Sequence, residues 1–70
     1  SQIGGLGIMT FIAMQQGRKS EARKLVTRIL EIDDTINFKK LRRAMKTFII
    51  VDKAFMQKLK ETLEEAGISA

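Results

Sequence analysis

The sequence predicts an all-α protein, a small bundle of three amphipathic helices plus a short apolar N-terminal helix, in which the second and third helices form a candidate helix-turn-helix pair. Three observations carry this. Apolar residues recur at helical spacing in three stretches joined by short connections, proline is absent, and the glycine-rich start is the only linker-like or compositionally biased tract. Seventy residues are one domain at most, with 1–17 as an apolar, glycine-containing element and 18–70 as the helical core. A chain of this size hides only about 60% of its unfolded surface on folding. With no cysteine and no histidine it has neither a disulfide staple nor a structural zinc site, so tight helix packing or self-association must supply the rest, and a homodimer is the expected state.

The first element runs from Ile3 to Met14 and is apolar nearly throughout, with glycines at 4, 5 and 7. A bilayer-spanning helix needs roughly 20 apolar residues, and this run stops at Gln15-Gln16-Gly17. No basic segment precedes it as a secretory signal requires. The reading preferred over a truncated membrane helix is a short buried helix over 6–14, preceded by a flexible glycine stretch. The segment Ile3-Gly4-Gly5-Leu6-Gly7-Ile8-Met9-Thr10-Phe11 resembles a short stretch in the membrane subunits of Trk/Ktr-type potassium transporters. Those proteins contain many long apolar spans, whereas the likeness covers nine of 70 residues and nothing after Gln16 has that character, so no function is carried over from it.

The second element is a helix over 20–32. Ser20 stands where an N-cap belongs, Glu21 suits the positive end of the helix dipole, and Ala22, Leu25, Val26, Ile29 and Leu30 share one face. Lys24 and Arg28 then fall on the opposite arc, with Arg23 on its flank. Asp33-Asp34-Thr35 ends this helix, because such side chains compete for backbone hydrogen bonds, and Asp34 or Thr35 caps the next one. That third helix, over 37–47, buries Phe38, Leu41, Ala44, Met45 and Phe48. Its basic residues Lys39, Arg42, Arg43 and Lys46 occupy an arc of about 100° on the other side. Phe48-Ile49-Ile50-Val51 reads as a connector and Asp52 as a fresh N-cap. The last helix, over 53–66, faces Phe55, Met56, Leu59, Leu63 and Ala66 inward and stops at Gly67-Ile68. Glu64 and Glu65 sit at the unfavourable end of its dipole, a small cost for a solvated or partner-facing acidic surface.

The residue inventory limits the chemistry. Without His, Cys, Tyr or Trp there is no Ser-His-Asp or Cys-His relay, no thiolate and no transition-metal cluster, so no catalytic residues, metal or cofactor are expected and the protein is not read as an enzyme. Gly5-Leu6-Gly7-Ile8-Met9-Thr10 lacks the third glycine of a dinucleotide loop, and in Gly17-Arg18-Lys19-Ser20 an arginine interrupts the phosphate-loop pattern. Asp33 to Ala44 lacks the central glycine and terminal glutamate of a calcium loop. Absence of cysteine fits a reducing compartment and a cytoplasmic location.

Charge distribution supplies the positive signal. Residues 1–17 carry none, 18–46 hold ten basic against four acidic residues, and 47–70 hold three against four, so the middle of the chain accounts for the whole surplus. If the second and third helices turn their basic arcs to one side, Arg23, Lys24, Arg28, Lys39, Arg42, Arg43 and Lys46 make a phosphate-binding ridge, with duplex DNA preferred over RNA because the four phenylalanines sit at core-type positions. The expected function is a nucleic-acid-binding or transcription-regulating module. The alternative is a helical interaction or oligomerisation module whose apolar N-terminal segment, through Leu6, Ile8, Phe11 and Ile12, docks on a protein partner or, less favourably, on a membrane.

Overall fold

The computed structural model describes residues 2–45 and 53–69. Four helices account for them: α1 (Gln2–Gln15), α2 (Lys19–Ile32), α3 (Phe38–Ala44) and α4 (Lys53–Ala66), with no strand among the described residues. The protein is a small all-α bundle. Its hub is α1, which packs against each of the other three helices, most extensively against α2.

The glycine stretch, expected to be flexible, is the first half of α1. Glycine lowers helix stability by up to about 1 kcal/mol per residue, so a tertiary contact must offset it. That contact is α3. A Cβ on Gly4 would collide with the carbonyl oxygen of Ala44, and one on Gly7 would stand 2.8 Å from both Leu41 Cδ1 and Met45 Sδ. Two bare positions one turn apart therefore let α3 approach the backbone of α1. Thr10, fully buried on the same helix, donates its hydroxyl to Leu6 O at 2.8 Å and leaves no polar atom unsatisfied there.

α1 and α4 end in the same way. Gly17 (φ +77°) and Gly67 (φ +118°) take the left-handed conformation that side chains resist. Arg18 N–H then donates to Ala13 O at 2.8 Å and Gly17 N–H to Met14 O at 3.1 Å; Ile68 N–H donates to Leu63 O at 3.0 Å and Gly67 N–H to Glu64 O at 3.1 Å. Both are Schellman motifs, and at the second Ile68 is buried, as its position after the glycine requires.

The caps differ from expectation. Since α1 closes through Arg18 N–H, α2 starts immediately afterwards with Arg18 rather than Ser20 at its N-cap, without a side-chain capping bond. Asp33 also holds a turn of its own. Its Oδ1 accepts the Thr35 N–H (2.9 Å) and the Thr35 hydroxyl (2.6 Å), and these bonds place its carboxyl pKa below the ordinary value, helped by the charge of Lys40. With Thr35 so used, the cap of α3 passes to Asn37, whose Oδ1 accepts the Lys40 N–H at 2.9 Å. The Phe38 N–H donates to Ser69 O at 2.7 Å, so the tail after α4 secures the start of α3. α3 runs to Ala44 with Met45 as its C-cap, and the remainder of the expected helix, 46–47, lies outside the described residues with Phe48-Ile49-Ile50-Val51 and Asp52.

The core is drawn from every helix: Leu6 and Ala13, then Ala22, Val26 and Ile29, then Leu41 and Met45, then Leu59, Leu63 and Ala66, with Ile36 and Ile68 from the connections. Of the residues expected in the core, Leu25, Phe38, Ala44 and Met56 are partly buried, and two are exposed. Leu30 is 39% exposed, because the buried arc of α2 is narrow and centred on Ala22, Val26 and Ile29. Phe55 is 37% exposed and meets Phe11 edge-to-face with ring centres 5.7 Å apart.

Candidate nucleic-acid interface

The expected ridge requires α2 and α3 to lie side by side. They scarcely touch, since each packs on α1. Their cations are divided accordingly. Lys24 and Arg28 line a groove of about 440 Å³ between α1 and α2, whereas Arg23 borders a recess of about 60 Å³ beside Lys19, Glu65 and Met14. Neither concavity includes a residue of α3. This corrects the single-ridge expectation: α2 and α3 each pack on α1 rather than side by side, so their basic arcs do not join.

A different pairing gathers charge around α3. Arg42 shares a groove of about 500 Å³ with Lys53 and Lys60 of α4, over a floor that includes Phe38 and Met56. Lys39 and Arg43 stand exposed on the same helix as Arg42, and Lys46 lies outside the described residues. Arg42 and Arg43 fall in the last turn of α3, where the partial negative charge of the helix end favours them. Among the described residues Lys39, Arg42, Arg43 and Lys53 make no ion pair; Lys60 has Glu64 one turn away at 3.8 Å, a half-buried pair in which Glu64 Oε2 has no hydrogen-bond partner. Lys40 is differently employed, donating to the Thr35 hydroxyl at 2.7 Å. Asn37 has its carbonyl oxygen committed to the cap.

Sequence reasoning missed Lys53 and Lys60 because it summed the charge of the final segment. In α4 the two signs are separated along the axis, with Lys53, Lys58 and Lys60 preceding Glu61, Glu64 and Glu65. The i, i+7 spacing of Lys53 and Lys60, which returns to the same face after two turns, is the signal that marks them. The acidic end has its own employment: Glu65 pairs with Lys19 of α2 at 3.6 Å.

The proposed N-terminal docking residues are mostly occupied by the fold. Leu6 is in the core, and Ile8 and Phe11 are half-buried against it, so these three do not form a free apolar face. Ile12 alone of the four is exposed, beside Met9. Among the described residues no helix is long and apolar enough to cross a membrane, and no three acidic side chains gather as a metal site. The chain matches no protein-family model, no curated protein and no solved structure.

Proposed function

We propose that the chain is a small nucleic-acid-binding module that holds phosphates at the α3–α4 groove, with Arg42, Lys53 and Lys60 at its walls and Lys39 and Arg43 on the exposed side of α3. The observation that carries this reading is the convergence of Arg42, Lys53 and Lys60 on one concavity, from two helices. Exposed cations in one patch raise the local potential and draw in a polyanion, and each phosphate they neutralise releases condensed counterion. Duplex DNA is the preferred form, because the described aromatic rings near the cations are engaged in packing: Phe38 is half-buried against the core and Phe55 lies edge-to-face on Phe11. Two copies of the module would double the number of contacts on one duplex, which favours a homodimer as the binding unit.

Fluorescence anisotropy with a short labelled duplex across a salt series tests this. Five phosphate contacts per chain correspond to a log–log salt slope of about −4.5, and replacing Arg42 and Lys60 by alanine should reduce its magnitude by about 1.8. Undetectable binding at about 50 mM salt, or a slope that the double replacement leaves unchanged, overturns the proposal.

A further inference from the structure

The groove between α1 and α2, like the α3–α4 groove, sets cations beside apolar side chains, but here Met9 and Ile12 are exposed, whereas Phe38 and Met56 there are half-buried. Its floor is formed by Met9, Ile12 and Leu25, and it leaves Met9 53% and Ile12 45% exposed. Lys24 and Arg28 stand one turn apart on its wall, and neither makes an ion pair among the described residues. Glu21, on the same wall, is bridged to Arg18 at 2.5 Å, which offsets its charge and leaves the end near Arg28 electropositive. A ligand that satisfies both features joins an anionic head to a hydrocarbon chain.

We infer that this groove binds a single-chain anionic amphiphile, a medium-chain carboxylate whose head group lies between Lys24 and Arg28 and whose chain covers Met9, Ile12 and Leu25. Side chains at i and i+4 have Cβ atoms about 5–6 Å apart, so one carboxylate is within reach of both cations. The volume of about 440 Å³ lies within the range of small-ligand sites. A docked helix fits less well: its anchors recur about 10 Å apart along one line at i and i+7, whereas the apolar side chains here are Met9 and Ile12 of α1 with Leu25 across from them on α2. A flexible chain needs no such repeat.

The probe is sodium dodecanoate below its micellar concentration, added to the 70-residue chain with methyl and amide signals followed by NMR. Saturable shifts are expected at Met9, Ile12 and Leu25. Affinity should rise from octanoate to dodecanoate by up to about fourfold per methylene, the free energy of burying each one. The Lys24→Glu/Arg28→Glu variant changes two exposed positions and should weaken binding about tenfold or more with the helical spectrum intact. Ile12→Gln, a second exposed change, should flatten the dependence on chain length. Dodecyltrimethylammonium binding as tightly as dodecanoate would show that charge does not select the ligand and overturn the proposal. It is equally overturned if dodecanoate does not bind while phosphatidylglycerol vesicles or an acidic amphipathic peptide do, which would reassign the surface to a membrane or a protein. Duplex-DNA binding enters none of these outcomes, so the two sites stand or fall separately.

Discussion

Replacing Gly4 by alanine tests the contact that organises the bundle, the approach of α1 to the end of α3. The added Cβ would overlap the carbonyl oxygen of Ala44, lie 3.0 Å from its carbonyl carbon and 3.6 Å from the Met45 nitrogen. These are backbone atoms that cannot rotate away, so α3 must shift as a whole, and forced overpacking costs about 1–3 kcal/mol. Against this, alanine in a helix is better than glycine by about 1 kcal/mol. The expected net loss is about 1 kcal/mol, rising to about 2 if α3 yields little. Gly5 is the internal control. A Cβ there meets nothing within 4 Å, so Gly5→Ala retains the propensity gain of about 0.5–1 kcal/mol. Neighbouring, chemically identical substitutions should therefore shift stability in opposite directions and separate by about 2 kcal/mol, or about 10 °C in Tm for a domain of this size. Gly7→Ala should fall between them, since it meets the ends of the Leu41 and Met45 side chains and methionine adapts. Urea and thermal unfolding followed by far-UV circular dichroism measure all three. If Gly4→Ala proves as stable as Gly5→Ala, α1 does not lie against Ala44 and the packing described above is refuted.

Leu41 is fully buried at the junction of α1 and α3, and Leu41→Ala should cost about 2–5 kcal/mol by urea denaturation, the range for a leucine cavity that cannot collapse. Asn37→Ala removes the acceptor for the Lys40 N–H and should cost about 1 kcal/mol, with amide exchange in α3 accelerating before that in α2. Asp33 has a folded pKa below the ordinary 3.8, so its stabilising bonds are fully present above the carboxylate range and are lost as pH falls through that range to the folded value. An NMR titration should place its midpoint below 3.8, and Thr35→Ala should return it part of the way, because the hydroxyl is lost while the backbone N–H remains. A midpoint that Thr35→Ala does not move would remove the hydroxyl bond from the account.

Near-neighbour chemistry made much of this molecule readable from its residues. The repeats of α2 and α4 announced amphipathic helices, and α4 begins and ends at the residues expected of it. Gly67-Ile68 signalled a Schellman stop because its bonds involve only residues within one turn and a half. Asn37 was less legible as a cap: Asp34 and Thr35 have the same capping chemistry, and the choice was made by Asp33 engaging Thr35 and by Ser69, 32 residues from Asn37, meeting the start of α3.

What the amino-acid order determined by itself was helical class, element count and the stripes of charge on each helix, since each follows from spacings of three and four residues along one axis. Tertiary structure decided the azimuth of each stripe. Glycines that locally disfavour a helix became part of one because α3 needed their bare backbone, and with α2 and α3 each packed on α1 their basic residues came to line separate grooves. Helix periodicity states which residues share a face; only the packing of one helix on another, a contact between residues distant in the chain, states which faces meet.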